Sequence, residues 1–258
     1  TCDGVAAIYT GDDIAADGIG GPICGWVPTN RDGSAPKEPP HPLLANDKVR
    51  YVGDHIAVVI ADSLEKARSA AEKITIDLDV LPPVVDLSTA IGNTQIHDEM
   101  DDNVYFDWEL GDESATASAL DSAAKIVELT VTNNRVIPNA MEPRAAVAEY
   151  DETNESYTLY TTSQNPHLTR LVMAAFMMQI PESKLHVVAP DVGGGFGSKI
   201  YIYPEEAVCT WATKKLRRPI KWTADRSEAF LGDAHGRDHV DKVKIGLNQD
   251  NKIVGLRV

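Results

Sequence analysis

Apolar and polar residues alternate along much of the second half of the chain, which is the pattern of half-buried β-strands. The strands predicted there are Ile126–Thr132, Ala145–Tyr150, Ser156–Thr162, Leu185–Ala189 and the two arms of the tail from His239 to Val258. Polar residues around Glu152–Asn154 join the second strand to the third, and Asn248–Asn251 interrupts the tail. Both interruptions predict β-hairpins, because short polar turns between alternating runs connect antiparallel strands.

Apolar residues at helical spacing predict three helices. The segment Ser63–Lys73 follows a predicted strand, Val49–Ala61, and precedes the alternating run Ile74–Leu78, so the first half of the chain is expected to contain a strand–helix–strand unit. Pro166 stands where a second helix could begin, because proline is favoured in the first turn. Pro204–Leu216 predicts a third helix, with carboxylates in the first turn where they suit the helix dipole.

Two stretches with little periodicity divide these elements. Residues Gly18–Pro42 are rich in Gly, Pro and Asn and predict a long surface excursion. Leu81–Pro83 ends the regular pattern, and the acidic segment after it predicts a linker over residues 86–111. We therefore expect two domains, at residues 1–85 and 112–258, in a chain whose length allows two ordinary cores.

The composition predicts a soluble globular protein, with 43% hydrophobic and 24% charged residues. A formal net charge of −15 disfavours attachment to nucleic acid or to anionic membrane, because both would repel the chain. No apolar run is long enough for a membrane span. Cys2, Cys24 and Cys209 do not form the pattern of a disulfide framework, a zinc site or an iron–sulfur site, which favours a reduced, cytoplasmic setting.

A glycine-rich loop, Val192–Lys199, lies between a predicted strand and a predicted helix. Glycines allow positive φ and a close approach of the main chain, so the N–H groups of the loop can bind an anionic or oxo group. Ser198 interrupts both the P-loop motif and the dinucleotide-binding motif, so neither applies. A turn without a ligand is the alternative. Phe196 argues against it, because a large ring among glycines indicates an anchored backbone.

Further segments occur in a fixed order around this loop. They are Tyr160–His167 before it, and Tyr203–Ala207, Ile220–Glu228 and Asp233–His239 after it. In that order and spacing they resemble the large, molybdenum-binding subunit of the xanthine dehydrogenase, aldehyde oxidase and aerobic carbon monoxide dehydrogenase family. In the first half, His41–Ala45 and Val49–Val59 are similar to the a/b hammerhead domain that precedes the molybdenum domain in this family.

The resemblance implies an α+β fold, with an a/b hammerhead domain followed by the first part of a molybdopterin-binding domain. It implies a molybdenum-pterin cofactor, in the molybdopterin cytosine dinucleotide form, whose metal takes its sulfur ligands from the pterin and no direct ligand from the protein. Gln164 matches the family glutamine whose amide donates towards an oxygen on molybdenum. Phe196 matches the phenylalanine whose backbone N–H addresses the same centre, while Gly194, Gly195 and Gly197 would allow close approach. The ring of Phe196 is expected to pack.

The resemblance also implies partner subunits. A medium subunit would carry FAD and a small subunit would carry [2Fe–2S], in a dimer of heterotrimers that oxidises a small-molecule substrate. The family's catalytic glutamate would lie beyond Val258, as would the loop whose copper-binding cysteine distinguishes carbon monoxide oxidation. No catalytic residue is therefore expected within the chain. The alternative is a non-catalytic scaffold or assembly protein that keeps the fold without the reaction.

Ile200 bears on the substrate. Purine-oxidising members of the family carry a glutamate directly after the lysine of the glycine loop, where this chain has Ile200. Together with the run Tyr201–Glu206, this resembles the carbon-monoxide-dehydrogenase-like branch, so an aldehyde, an N-heterocycle or carbon monoxide is expected rather than xanthine. The histidines are scattered, and they are interpreted, like Glu142–Arg144 and the ion-pair turn Asp225–Glu228, as residues without a catalytic role.

Overall fold

The computed structural model describes residues 2–258 and has the predicted α+β class. Its strands and helices, in chain order, are β1 (Val5–Thr10), α1 (Gly11–Ala16), β2 (Ala57–Ala61), α2 (Leu64–Ala71), α3 (Glu113–Asp121), β3 (Lys125–Asn133), β4 (Ala145–Asp151), β5 (Ser156–Thr161), α4 (Pro166–Val172), β6 (Leu185–Val188), α5 (Pro204–Leu216), β7 (Ile220–Thr223), α6 (Arg226–Gly232), β8 (His239–Leu247) and β9 (Ile253–Arg257).

Contacts divide the chain into two compact units. The first contains the chain up to Cys24 together with Pro40–Val80 and Ile137–His235, and the second contains Gly25–Pro39, Leu81–Val136 and Gly236–Val258. These units are defined by contacts between residues and combine distant segments, whereas the predicted domains, residues 1–85 and 112–258, are continuous in sequence. The predicted domain boundaries stay a prediction. No helix among residues 2–258 has the length and apolar character needed to cross a membrane.

β1 and β2 pair as an antiparallel, two-stranded sheet in the first unit. The helix predicted after β2 is confirmed as α2, and the Ser63 side chain caps it by accepting the N–H of Lys66 at 3.3 Å. The strand predicted at Ile74–Leu78 is wrong. β2 takes β1 as its partner instead, and Ile76 and Leu78 remain exposed, so their alternation is not matched by a buried face.

A four-stranded sheet in the order β6-β5-β4-β7 forms the main layer of the first unit. β4 and β5 form the predicted antiparallel hairpin, and β6 runs parallel to β5. β4 buries Ala146 and Ala148, whose small side chains allow α5 to lie close to the sheet. α5 begins and ends as predicted, and its buried residues join Leu159 and Met173 in the main hydrophobic core.

Two connections leave this sheet side by side, and they carry the residues of interest. β5 ends at Thr161, after which the chain passes through Gln164 into α4, where the Asn165 side chain accepts the N–H of Leu168 at 3.3 Å. β6 ends at Val188 and leads into the glycine loop. Because β5 and β6 are parallel neighbours, both connections start from the same edge of the sheet.

The second unit contains the antiparallel sheet β3-β8-β9. The predicted strand β3 and the predicted hairpin of β8 and β9 are confirmed. α3 covers one face of this sheet at two glycines. A Cβ added to Gly246 would lie 3.1 Å from the Cδ2 of Leu120, and one added to Gly255 would lie 3.3 Å from the Cβ of Ala119, so glycine permits the close helix–sheet contact.

Candidate cofactor-binding site

Gln164 lies against the glycine loop. Its Oε1 accepts the N–H of Gly197 at 2.9 Å, and its backbone N–H donates to the carbonyl of Lys199 at 2.8 Å. A Cβ added to Gly195 would lie only 2.3 Å from the Gln164 Oε1, so the approach requires glycine at that position. The structure therefore brings together three of the predicted site residues, Gln164, Gly195 and Gly197, although Gln164 and Gly197 are 33 positions apart in the chain.

The contact with Gly197 determines which end of the Gln164 amide is engaged. A glutamine side chain has one carbonyl oxygen and one NH₂ group. Since the oxygen accepts the Gly197 N–H, the NH₂ group is the end left to donate elsewhere. A neutral donor is what the predicted role requires, and that role itself stays a prediction.

Three residues of the glycine loop, Gly194, Phe196 and Gly197, have left-handed backbones. The φ of Phe196 is 52°, and those of Gly194 and Gly197 are both 97°. Positive φ costs a residue with a Cβ about 1–2 kcal/mol, so the surrounding structure must hold Phe196 in place. The expectation that its ring packs is wrong. The ring is 75% exposed and passes 2.9 Å from the Cβ position of Gly194, because the adjacent glycines have no side chains to enclose it.

The loop N–H groups differ in how they are used. Gly193 donates to Glu142 Oε2 at 2.8 Å and Gly197 donates to Gln164 Oε1 at 2.9 Å. Between them, the N–H groups of Gly195 and Phe196 take no part in the hydrogen bonds formed among residues 2–258. The two ends of the loop are thus tied to the protein, while the amides at its centre can donate to a bound group.

Glu142 and Lys199 form an ion pair beside the loop, with 2.9 Å between Lys199 Nζ and Glu142 Oε2. The side chain of Lys199 is 1% exposed. Burial alone would raise the pKa of Glu142, but the hydrogen bonds from Lys199 and Gly193 outweigh it and lower that pKa.

A second, largely buried charge network lies at the first turn of α5. Arg144 donates two hydrogen bonds to Glu205, at 3.0 and 2.9 Å, and one to Asp233 at 2.6 Å. Its guanidinium also stacks 3.6 Å above the ring of Tyr203. Burial disfavours the charge on Arg144, but the two carboxylates outweigh it and raise its pKa. Arg144 therefore remains charged inside the protein.

Histidine 55 reaches the same network, with 3.2 Å between its Nε2 and Glu205 Oε1. Burial alone would raise the pKa of Glu205, but His55 and Arg144 outweigh it and lower that pKa to about 2. Glu205 also raises the pKa of His55 above its ordinary value, against the effect of burial. His55 is thus a hydrogen-bond partner of Glu205, and the carboxylate of Glu205 does more than complement the helix dipole.

Tyr203 connects this network to the end of the glycine loop. Its hydroxyl donates to the carbonyl of Ser198 at 2.6 Å and accepts the N–H of Ala234 at 2.9 Å. Burial raises the pKa of this hydroxyl, so it remains protonated and able to donate. The glycine loop is therefore fixed at its last residues by Tyr203 as well as by Gln164.

The turn at Asp225 and Glu228 is a helix cap rather than the expected ion-pair turn. Asp225 accepts the N–H of Glu228, and Glu228 accepts the N–H of Asp225, both at 2.8 Å, which is a capping box at the start of α6. The intervening Arg226 makes no pair with either of them. It donates instead to residues of the segment 139–141.

Two protein families match the chain. The molybdopterin cofactor-binding domain matches residues 96–258, and the a/b hammerhead domain of aldehyde oxidase and xanthine dehydrogenase matches residues 1–82. The carbon monoxide dehydrogenase large chain of Hydrogenophaga pseudoflava is 34% identical over 99% of this chain and 32% of its own length. The nicotine 6-hydroxylase large subunit of Paenarthrobacter nicotinovorans is 33% identical over 84% of this chain and 26% of its own.

Solved structures agree with these matches. Quinoline 2-oxidoreductase from Pseudomonas putida 86 superposes with a TM-score of 0.85 at 32% identity, over 98% of this chain and 31% of the other. The chain thus spans between about a quarter and a third of the length of these three relatives. The fold and the family follow from these similarities, while the activity of a whole protein does not.

Proposed function

Because this chain belongs to the family of large, molybdenum-binding subunits that includes carbon monoxide dehydrogenase, aldehyde oxidase and xanthine dehydrogenase, we propose that it is the part of a molybdenum hydroxylase that holds a molybdenum-pterin at its glycine loop. The observation that carries the proposal is the meeting of Gln164 with the glycine loop, from two neighbouring strand ends. The resulting cluster of neutral donors suits an oxo-rich group.

The residues present fit such a group. The central amides of Gly195 and Phe196 and the NH₂ of Gln164 are donors without charge, and Gly194 and Gly197 keep the backbone accessible. When bound, molybdopterin cytosine dinucleotide would supply the oxidation of the substrate with oxygen derived from water. The chain's own residues would bind and orient it, and none is a direct metal ligand.

The remaining parts of the enzyme would come from outside this chain. We place the catalytic glutamate beyond Val258, FAD on a medium subunit and [2Fe–2S] on a small subunit, in a cytoplasmic dimer of heterotrimers. The carbon monoxide dehydrogenase large chain that matches this chain is about three times its length, which supports placing these groups outside it. Electrons would leave the site one at a time towards the iron–sulfur partner.

Metal and pterin analysis of the full-length protein tests the proposal. The complex is expressed from its native promoter and purified. It is expected to contain about one molybdenum and one pterin per large subunit, measured by metal analysis and by release of the oxidised pterin. A non-catalytic scaffold would contain neither. Absence of both from a complex expressed in a host that loads other molybdenum hydroxylases would contradict the proposal.

We further propose that the substrate is an aldehyde, an N-heterocycle of low polarity or carbon monoxide, and that purines are poor substrates. Ile200 takes the position of the purine-orienting carboxylate, and two relatives are named for nicotine and quinoline. A purine would bury polar groups without a partner, which costs about 1–3 kcal/mol per group. Steady-state kcat/KM should therefore be at least roughly tenfold lower for xanthine than for quinoline or benzaldehyde.

Substitution of Ile200 tests whether this residue determines the preference against xanthine. Ile200→Glu restores a carboxylate after Lys199, so it is expected to shift the ratio of kcat/KM towards xanthine, whereas Ile200→Leu should leave the ratio unchanged. A wild-type preference for xanthine, or a ratio unaffected by Ile200→Glu, would contradict the inference from this position.

A further inference from the structure

We propose that the ion pair between Glu142 and Lys199 is a positioning device that fixes Gln164 and the glycine loop relative to each other. The proposal rests on the proposed function, because it concerns the same site. Neither residue is assigned contact with cofactor or substrate. They act through the backbone and side-chain atoms that they hold in place.

Lys199 has two anchors, and together they reach Gln164. Its Nζ donates to Glu142 Oε2 at 2.9 Å, and its carbonyl accepts the backbone N–H of Gln164 at 2.8 Å. Through its side chain and its backbone, Lys199 thus ties Glu142 to Gln164. The Gln164 side chain in turn accepts the N–H of Gly197, so Gln164 contacts the loop at a second point.

Glu142 holds the other end of the loop through the same oxygen atom. Its Oε2 accepts the N–H of Gly193 at 2.8 Å as well as the lysine ammonium. The backbone N–H of Glu142 donates back to the carbonyl of Gly193 at 3.2 Å. Gly193, the first glycine of the loop, and Lys199, its last residue, are thus both bonded to Glu142 Oε2. The central amides of the loop lie between these two residues.

The segment before Glu142 is itself fixed by Arg226. The guanidinium donates to the Asn139 side chain at 2.7 Å and to the carbonyls of Ala140 and Met141, both at 2.8 Å. Three hydrogen bonds to consecutive residues leave little freedom in the main chain that carries Glu142. The carboxylate is therefore a fixed point rather than a mobile surface group, although its side chain is 36% exposed.

Stability alone does not account for this ion pair. The pair joins a buried lysine to a half-exposed carboxylate, and such a pair adds little net stability, because burial costs the lysine its hydration while solvent screens the carboxylate. What the charges add is a directional, charge-assisted hydrogen bond. Here that hydrogen bond joins two residues that hold the loop backbone and Gln164 in place. The lysine side chain is 1% exposed, so it cannot bind a partner at the protein surface.

The test uses the full-length large subunit in its complex, with Glu142→Gln, Lys199→Met and the double variant. The double variant removes both charges, so it preserves folding if a single variant does not. Glu182→Gln is the matched control, because it breaks an exposed ion pair with Arg170 in the same unit. Two measurements are compared: amide hydrogen exchange in the cofactor-free complex, and the electron paramagnetic resonance spectrum of molybdenum after partial reduction with dithionite.

The double variant should exchange the hydrogen-bonded amides of Gly193, Gly197 and Gln164 at least tenfold faster than wild type, with α5 unchanged, and should give an altered molybdenum spectrum. Glu182→Gln should match wild type in both. Wild-type exchange and spectrum in the double variant would overturn the proposal, as would faster exchange in α5 equal to that of the loop, which would show a purely structural role. A wild-type complex without molybdenum would refute the proposed function instead, and the exchange measurement would still decide the positioning role.

Discussion

Replacement of Gln164 by alanine in the full-length subunit is expected to lower turnover on the order of 10²-fold, an effect of the size seen when groups that orient a metal centre are lost. The side chain is exposed and makes one hydrogen bond to the loop, so its removal should leave folding and molybdenum content near wild type. Turnover is measured per molybdenum, with a substrate that the wild-type complex oxidises.

Gln164→Glu separates the two ends of the amide. It keeps an oxygen for the Gly197 N–H and removes the NH₂ donor, so it should be as slow as Gln164→Ala if the donor matters. Gln249→Ala, in the exposed turn between β8 and β9, is the control and should behave as wild type. Wild-type turnover in Gln164→Ala at full molybdenum content would refute the role assigned to Gln164.

Replacement of Arg144 by methionine is expected to destabilise the first unit by about 3–5 kcal/mol, the usual cost of removing one partner from a buried charge network. Glu205 and Asp233 would remain buried with no guanidinium to compensate them, their side chains being 7% and 11% exposed. Native-state hydrogen exchange of the amides in α5 and β4 measures the change as a loss of protection.

Arg170→Met is the matched control for this change, because it removes an arginine from an exposed ion pair in the same unit. Exposed pairs contribute about 0–1 kcal/mol, so its effect should be small. Adding Glu205→Gln to Arg144→Met should recover part of the loss, since one uncompensated charge is removed. A loss of protection in Arg144→Met no larger than that in Arg170→Met would contradict the prediction.

Elements that depend on local signals could be predicted from the sequence. The hairpins of β4 with β5 and of β8 with β9 follow from alternation across a short polar turn, and α5 follows from proline at its start and an apolar core face. The strand at β1 and its pairing with β2 could not be predicted in this way, because the partners are far apart in sequence and neither carries a turn signal.

In the site, too, a local sequence motif can be predicted, whereas contacts between residues far apart in sequence cannot. The glycine loop is visible in the sequence, whereas Gln164 can be predicted only from the family resemblance, because an isolated glutamine at a strand end carries no signal of its own. Glu142 and Lys199 are 57 positions apart, and their charges look like ordinary surface residues until burial is known. The exposure of the Phe196 ring cannot be predicted from the sequence, because the sequence does not show which side chains would surround the ring.

Assembly of the first unit has a consequence for synthesis. Asp17 accepts the indole N–H of Trp211 at 2.8 Å, and Tyr9 packs edge-on against the same indole with 4.7 Å between the ring centroids. Translation at roughly 5–20 residues per second delivers Trp211 on the order of ten seconds after the α1 and α2 segments have left the ribosome. The β1 and α1 segments therefore remain incompletely packed until α5, the helix that carries Trp211, has been synthesised.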